Sequence, residues 1–330
     1  MTAGFRSIGL HSLNPVGLGC MNVSHAYGVP PTEEEAIRLL NEALDAGYNH
    51  FDTARLYGLG ENEKLVGKAV SHRRDEFFLA SKTGIIIDGK KRYIDCKPES
   101  IKKAIDISLE SLKTDHIDLY YLHRRDFQVP IEESVGALKD AIDAGKIGGY
   151  GLSEVSVDTL TKAHAEHPML ALQNEYSPWT RNVELGVLKA CEKLGVALVA
   201  YSPVARGVLA GGVDDPTKFA DKDIRISMPR FSAENWPVNA KLAKAFDTTA
   251  EEQGVTSAQL CLAWVLSRGS HVHVIPGTAN INHMKENIAR WEWQIPAAVA
   301  EQIDQLINQE TVAGHRYPEG IRPTIDTEDF

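Results

Sequence analysis

Short runs of apolar, β-branched and aromatic residues recur along this chain. Longer stretches with apolar residues at helical spacing separate them. The short runs fall at 16–18, 49–52, 77–82, 117–123, 148–153, 171–175, 197–201 and 272–275. The stretches between them read as helices at 32–46, 61–70, 98–112, 131–144, 156–164, 183–194 and 240–253, with a last one from about 282. In the first helix Ala36, Leu39, Leu40, Ala43 and Leu44 recur at the period of one helix face. Thr32 and Glu35 form a capping-box pair at its start.

Strands that alternate with helices imply parallel pairing through crossovers. Eight such units suit a (β/α)8 TIM barrel, an α/β fold that needs about 250 residues. The competing architecture is an open doubly wound sheet, whose phosphate fingerprint carries three glycines after an early strand. The nearest candidate, Gly17-Leu18-Gly19-Cys20-Met21-Asn22, lacks the third. No linker divides the chain and no solenoid or propeller repeat appears, so residues 1–330 are expected to form a single domain. The longest stretch outside the repeat, 203–239, holds Gly207, Gly211, Gly212, Pro216, Pro229 and Pro237. It leaves the end of the seventh strand and is expected to be a lid loop. Residues 309–330 read as a tail after the barrel.

The strand ends carry the chemistry. The second strand ends in Asp52, the third in Lys82 and the fourth in His123, while Ser153, Gln173 and Tyr201 stand at or near later ends. In a barrel all these ends share one rim. Tyr57, five residues past Asp52, reaches the same mouth from the loop. Taken singly, each has an ordinary reading: Lys82 and Asp52 as a buried ion pair, His123 as a core histidine, Tyr57 as loop packing. Together they form a proton-donating oxyanion site. A free tyrosine titrates near 10, and a nearby ammonium is expected to lower that value. A carboxylate would keep the ammonium charged, and the imidazole would orient a carbonyl oxygen. Side chains supply no hydride, so a redox cofactor is implied.

Composition narrows the partners. The 35 Lys+Arg and 45 Asp+Glu give a net charge of −10 without a basic block, which argues against nucleic acid or an anionic membrane. Cys20, Cys96, Cys191 and Cys261 form no zinc or redox pair and read as reduced thiols. The start MTAGFRSIGLHSLN lacks an apolar signal core and no run approaches a membrane span, so a cytoplasmic protein is expected. His164 and His167 have no ligand of the same face between them, and no metal site is expected.

Four segments carry a family resemblance. They are 51–63 (FDTARLYGLGENE), 81–84 (SKTG), 118–124 (DLYYLHR) and 275–278 (IPGT). In order and spacing, over about residues 5–310, they resemble the aldo-keto reductase superfamily. The likeness is greatest to the microbial branch with a Gly-Leu-Ser-Glu-Val segment, here Gly151–Val155, and a Glu-Tyr-Ser segment, here Glu175–Ser177. The resemblance implies a barrel that reduces an aldehyde or ketone reversibly with NADP(H), NAD(H) being the alternative, and without metal. Tyr57 would be the general acid, Asp52 and Lys82 its tuning pair, and His123 the carbonyl-orienting group. Tyr201 would stack on the nicotinamide, with Ser153 and Gln173 holding its carboxamide. Ser202, Pro203, Val204, Arg206, Gly207 and Leu209 would line the pyrophosphate channel, with Gly19 and Met21 also at the cofactor. Ile275, Gly277, Thr278, Asn280, His283, Glu286 and Asn287 would hold the adenosine end. The superfamily also includes cofactor-sensing regulatory subunits of membrane channels, which is the alternative role.

Two departures from the family pattern bear on the cofactor. Glu154 stands where many relatives carry an asparagine beside the carboxamide-binding serine, and it is carried here as a cofactor contact. Ala279, Asn280 and His283 stand where basic residues hold the 2′-phosphate in NADP-preferring relatives. Lys285 is expected on a different helix face. NADP preference is therefore expected to be weakened. Around the substrate pocket, Met21, Tyr27, Arg55, Arg124, Arg125, Asp126 and Trp179 follow strand ends. Arg124 and Arg125 either meet an anionic or polyhydroxylated substrate or pair with Asp126 or Glu132. The partner is a small carbonyl or alcohol.

Overall fold

The computed structural model describes residues 4–25, 27–89 and 91–330, so residues 1–3 of the expected leaderless start lie outside it. Among the described residues the strands run β1 (Arg6–Ile8), β2 (His11–Leu13), β3 (Leu18–Gly19), β4 (His50–Asp52), β5 (Phe78–Thr83), β6 (Ile85–Asp88), β7 (Lys91–Ile94), β8 (Leu119–Leu122), β9 (Tyr150–Ser153), β10 (Ala171–Glu175), β11 (Ala197–Tyr201) and β12 (Val272–Val274). The helices are α1 (Glu33–Asp45), α2 (Glu61–Val70), α3 (Pro98–Leu112), α4 (Ile131–Asp143), α5 (Val157–Glu166), α6 (Val187–Leu194), α7 (Trp236–Glu252), α8 (Ser257–Leu266), α9 (Ile281–Ala289) and α10 (Ala297–Leu306).

Eight strands pair in parallel in the order β3-β4-β5-β8-β9-β10-β11-β12. The two edges meet: the Val274 amide donates to Pro15 O and the Gly17 amide to Val274 O, each at 2.8 Å. This is the expected (β/α)8 architecture. The capping box at Thr32 and Glu35 is formed. Two antiparallel hairpins, β1–β2 and β6–β7, escaped the sequence pattern because three or four residues are too few to show a period. So did α8, which is buried on every face and has no polar stripe. Helix α7 starts at Trp236 rather than 240, since Pro237 occupies its first turn, where a missing amide does no harm.

Strand parity positions the site. Phe78, Ala80, Leu119, Tyr121, Ala171, Ala197 and Val199 form one buried cluster inside the barrel, floored by Ile8 and Leu13 of the first hairpin. The alternate residues, including Leu79, Tyr120, Leu122, Leu152, Leu172 and Leu198, belong to the larger core packed against the helices. Side chains two apart on a strand share a face. Lys82 therefore follows Phe78 and Ala80 inward, Gln173 follows Ala171, and Tyr201 follows Ala197 and Val199. The inner packing leaves no spare room: a Cβ on Gly151 would lie 2.4 Å from the Tyr121 ring and 2.6 Å from Ala171 O.

Gly151→Ala is accordingly expected to destabilise the fold by about 1–3 kcal/mol, the usual effect of overpacking. A chemical-denaturation midpoint equal to the parent's would show that the interior can yield.

Candidate active site

At the mouth formed by the strand ends, Lys82 is fully buried and its ammonium is paired with the Asp52 carboxylate, itself only 2% exposed. The same ammonium donates to Thr53 O at 2.8 Å. Gln173 Nε2 donates to the other Asp52 oxygen at 2.8 Å. Both Asp52 oxygens are thus occupied, which holds the pair in one orientation. The Lys82 ammonium lies 5.2 Å from the centre of the Tyr57 ring, and the Tyr57 and His123 rings meet edge to face at 5.8 Å. Sequence reading placed these four together, and the structure does so.

The loop carrying Tyr57 is pinned from below. Thr53 Oγ1 donates to Asn62 Oδ1 at 2.6 Å, and Asn62 Nδ2 donates to Cys20 O at 2.8 Å and Ser24 Oγ at 2.7 Å. Buried Glu63 accepts from Ser81 Oγ at 2.6 Å, next to Lys82 in the chain. Gly58, Leu59 and Gly60 are all left-handed, which turns the chain back sharply after Tyr57. The segment 60–63 (GENE) is therefore the clamp that fixes the tyrosine.

Burial dominates the titration behaviour. It pushes the Tyr57 phenol well above its ordinary value, the Asp52 carboxylate adds to this, and Arg124 opposes it. The expected lowering by Lys82 is not found, because Asp52 faces that ammonium directly and burial outweighs the rest. Burial also lowers Lys82, against the pull of Asp52. Burial holds His123 well below its ordinary value, with Lys82, Arg124 and Arg92 adding to the effect. The imidazole is neutral and the phenol protonated at neutral pH, so both can donate to an oxygen.

Above these groups lies a cavity of about 600 Å3. It is lined by Gly19, Met21, Tyr27, Ser153, Gln173, Tyr201, Ser202, Pro203, Val204, Arg206, Gly207, Ile275, Gly277, Thr278, His283, Glu286 and Asn287, all foreseen at the cofactor or substrate. Its size and its buried Ser153 and Gln173 amide and hydroxyl groups fit a dinucleotide's reactive end. Ser202, Ala205 and Arg206 adopt left-handed backbone in the wall, a conformation that persists only where surroundings enforce it. The loop after β11 is tied across the mouth, with the Gly28 amide donating to Asp223 Oδ2 at 3.1 Å and Arg225 paired to Asp223 at 2.7 Å.

Seven expected contacts lie elsewhere, among them Arg55, which turns to Glu63 at 3.5 Å, and Asp126, which accepts from the Cys96 and Gln128 amides. Glu154 is fully buried, and Arg316 grips both its oxygens at 3.0 and 2.8 Å. It also accepts from Tyr201 Oη and the Glu175 amide, each at 2.8 Å. Leu209 is buried in the outer core. The Asn280 side chain caps α9, accepting from the amides of Asn282 and His283. Arg125 turns to Asp326 at 3.4 Å and stacks on Phe127. Trp179 is folded into the outer core by the Ser177–Thr180 bridge. Lys285 pairs with Glu42 of α1 at 2.7 Å, away from His283 as expected.

Sequence reading missed the tail's part in the site. Tyr317, Pro318 and Ile321 line the cavity, and Tyr317 Oη lies 2.8 Å from Tyr201 Oη. The Asp326 and Thr327 amides donate to Glu154 O, while Asp326 and Glu328 accept from the Ser156 and Val157 amides at the start of α5. The sequence offered only a glutamate, Glu154, directly after a site serine, and its partner Arg316 lay far along the chain. Also unforeseen were Asn22, His25 and Arg92 in the lining. Among the described residues no cluster suits a metal ion, and no helix is long and apolar enough to cross a membrane.

Comparison with known proteins gives one family. The model for the Aldo/keto reductase family matches residues 15–308. The aldo-keto reductase yakc of Schizosaccharomyces pombe, named for NADP(+), is 37% identical over 98% of this chain and 97% of its own. Probable aldo-keto reductase 1 of Glycine max is 39% identical, covering 94% and 90%. A solved glycerol dehydrogenase from Gluconobacter oxydans superposes with a TM-score of 0.83 at 25% identity, over 100% of this chain and 98% of that one.

The Glu154–Arg316 contact has a stability signature. Burial alone would raise Glu154, but Arg316, helped by Arg124, reverses this and draws it from 4.5 down to about 2. A carboxylate lowered on folding stabilises above its unfolded value, and that contribution fades as pH falls from 4.5 towards about 2. Arg316→Met, which strands a buried charge, is expected to cost roughly 3–5 kcal/mol at neutral pH. It should also flatten that acid limb, as read from urea midpoints against pH; an unchanged limb would contradict the assignment.

Proposed function

The chain belongs to the aldo/keto reductase family, and on that premise we propose that it reduces an aldehyde or ketone to an alcohol, reversibly, with NADP(H) and with Tyr57 as proton donor. The observation that carries the reading is the meeting of Tyr57, His123 and the Lys82–Asp52 pair under the cavity. The NADP(+) in the name of the yeast relative supports the choice of cofactor.

When bound, the cofactor supplies a hydride from C4 of its nicotinamide. Ser153 and Gln173 would hold the carboxamide, and the Tyr201 ring would lie against the nicotinamide. Ser202, Pro203, Val204, Arg206 and Gly207 would hold the pyrophosphate, beneath the 203–239 lid loop. Ile275, Gly277, Thr278, His283, Glu286 and Asn287 would hold the adenosine end. Neutral His123 donates a hydrogen bond to the substrate carbonyl oxygen and fixes its direction. As negative charge grows on that oxygen, the Tyr57 hydroxyl gives it a proton. The Lys82 ammonium, 5.2 Å from the ring centre, would offset part of the charge left on the phenolate. Asp52 and Gln173 keep the ammonium aimed. A phenol held protonated at rest keeps its proton until the transition state asks for it, which is where donation lowers the barrier. In alcohol oxidation each step reverses.

Tyr57→Phe is expected to lower kcat by a factor of about 100 or more, the range of lost acid catalysis, while the dissociation constant for NADPH stays within a few-fold. Retained turnover would remove Tyr57 from the role. Among the described residues, Ile275, Gly277, Thr278, His283, Glu286 and Asn287 at the adenosine end include no arginine fork for a 2′-phosphate. The kcat/KM for NADPH is therefore expected to exceed that for NADH by well under about a thousandfold; a larger ratio would refute weakened NADP preference.

A further inference from the structure

Among the described residues, two cations of the cavity lining, Arg92 and Arg124, make no salt bridge. Arg124 is only 6% exposed, lines the cavity and follows His123 directly. Its Nη1 donates to His123 O at 2.7 Å and reaches Ser153 Oγ at 3.5 Å, and its buried Nε has no partner. The expected pairing with Asp126 or Glu132 is not made: Asp126 instead accepts from the Cys96 and Gln128 amides. The carboxylate that acts on it, Glu154, favours its charge but is gripped by Arg316. Arg92, on β7, lines the same cavity, and Arg124 repels its charge.

The other cations of the lining are matched. Arg206 pairs with Glu175 at 2.9 Å and Arg225 with Asp223 at 2.7 Å. Of the two lining carboxylates among the described residues, Asp52 belongs to Lys82, and Glu286 accepts from Thr256 at 2.7 Å in the segment after β12. Glu154 favours the charged form of Arg124 from a distance but gives it no hydrogen bond, so a buried guanidinium with an open Nε and a like charge beside it has room for an anionic ligand.

Position tells which ligand. Arg92 follows the third barrel strand and Arg124 the fourth, and the charges of both act on His123. The segments assigned to the cofactor's phosphates follow the seventh and eighth, across the barrel. We infer that the substrate is an anionic carbonyl compound, its carboxylate or phosphate held by Arg92 and Arg124 while its carbonyl oxygen meets Tyr57 and His123. This rests on the carbonyl-reductase reading above. Arginine forks match the planar oxygens of a carboxylate and those of a phosphate equally well, so the two sources are separated by experiment.

The test uses matched neutral and charged aldehydes with NADPH: butanal against succinic semialdehyde, and glyceraldehyde against glyceraldehyde 3-phosphate. In at least one pair the charged member is expected to have the higher kcat/KM by about tenfold or more, and the pair that shows it names the anion. Arg92→Gln and Arg124→Gln should each erase about tenfold of that preference, mainly through KM. Lys102→Gln, which removes a surface charge paired with Asp140, should leave it within about twofold. Arg92 sits on an exposed hairpin, so its variant remains informative if the buried Arg124 variant fails to fold. Calorimetric titration with succinate and with glycerol 3-phosphate reads anion binding independently of turnover, and both variants should weaken it about tenfold. Equal kcat/KM within both pairs, with turnover intact, would overturn the anionic substrate and leave the reductase reading standing. Absence of turnover on all four aldehydes would remove the reductase reading itself. Unaltered succinate and phosphate binding in both variants would remove the two arginines from any anion site.

Discussion

An ammonium and a carboxylate sealed inside a barrel dictate much of what surrounds them. Lys82 and Asp52 are almost fully out of water. Such a pair is tolerable only when its remaining hydrogen-bonding capacity is met, and removal of one partner would strand a charge at a cost of roughly 3–5 kcal/mol. The structure meets that demand from separate directions. Thr53 O and Gln173 complete the polar contacts, while the rings of Tyr57 and Tyr121 face the ammonium. Gln173 is thus as much a part of the acid site as of any cofactor contact, since it fixes the second Asp52 oxygen.

A second buried ion pair organises the rim. Glu154 and Arg316 bind the chain's last segment to the turn after Ser153, while Asp326 and Glu328 go to the start of α5 and Asp329 to His315 and Asn182. In the fold, Asp326, Glu328 and Asp329 are taken up by amide groups and a histidine, as unpaired donors at a helix start require.

Much of this was legible beforehand, for a definable reason. The barrel strands each carry an alternation or a continuous apolar run, and Asp52, Lys82 and His123 stand at their ends, so local period and barrel geometry together place them. The cofactor segments after the seventh and eighth strands were legible through resemblance. What escaped depends on contacts between residues far apart in the chain. Glu154 reads as a pocket residue until Arg316 is seen beside it, and Trp179 reads as rim until the turn folds it inward. The direction of the Tyr57 shift was misread because the sequence shows the cation but not the depth of burial or the carboxylate that faces it. The isolation of Arg124 was equally invisible, since Asp126 is two residues away and spends its oxygens on backbone amides.

The inward parity shared by Asp52, Lys82, Gln173 and Tyr201 has a consequence for how such a chain can change over evolutionary time. Within a strand, gain or loss of one residue below the rim would exchange every inward for every outward side chain: Ser81 would enter the barrel and Lys82 would face the helices. Only changes by two residues preserve the facing, and those would shift the chemistry up or down by one layer. The loops carry no such rule. Length variation is therefore expected to accumulate between strands, as in the long segment after β11, while strand lengths stay quantised in steps of two.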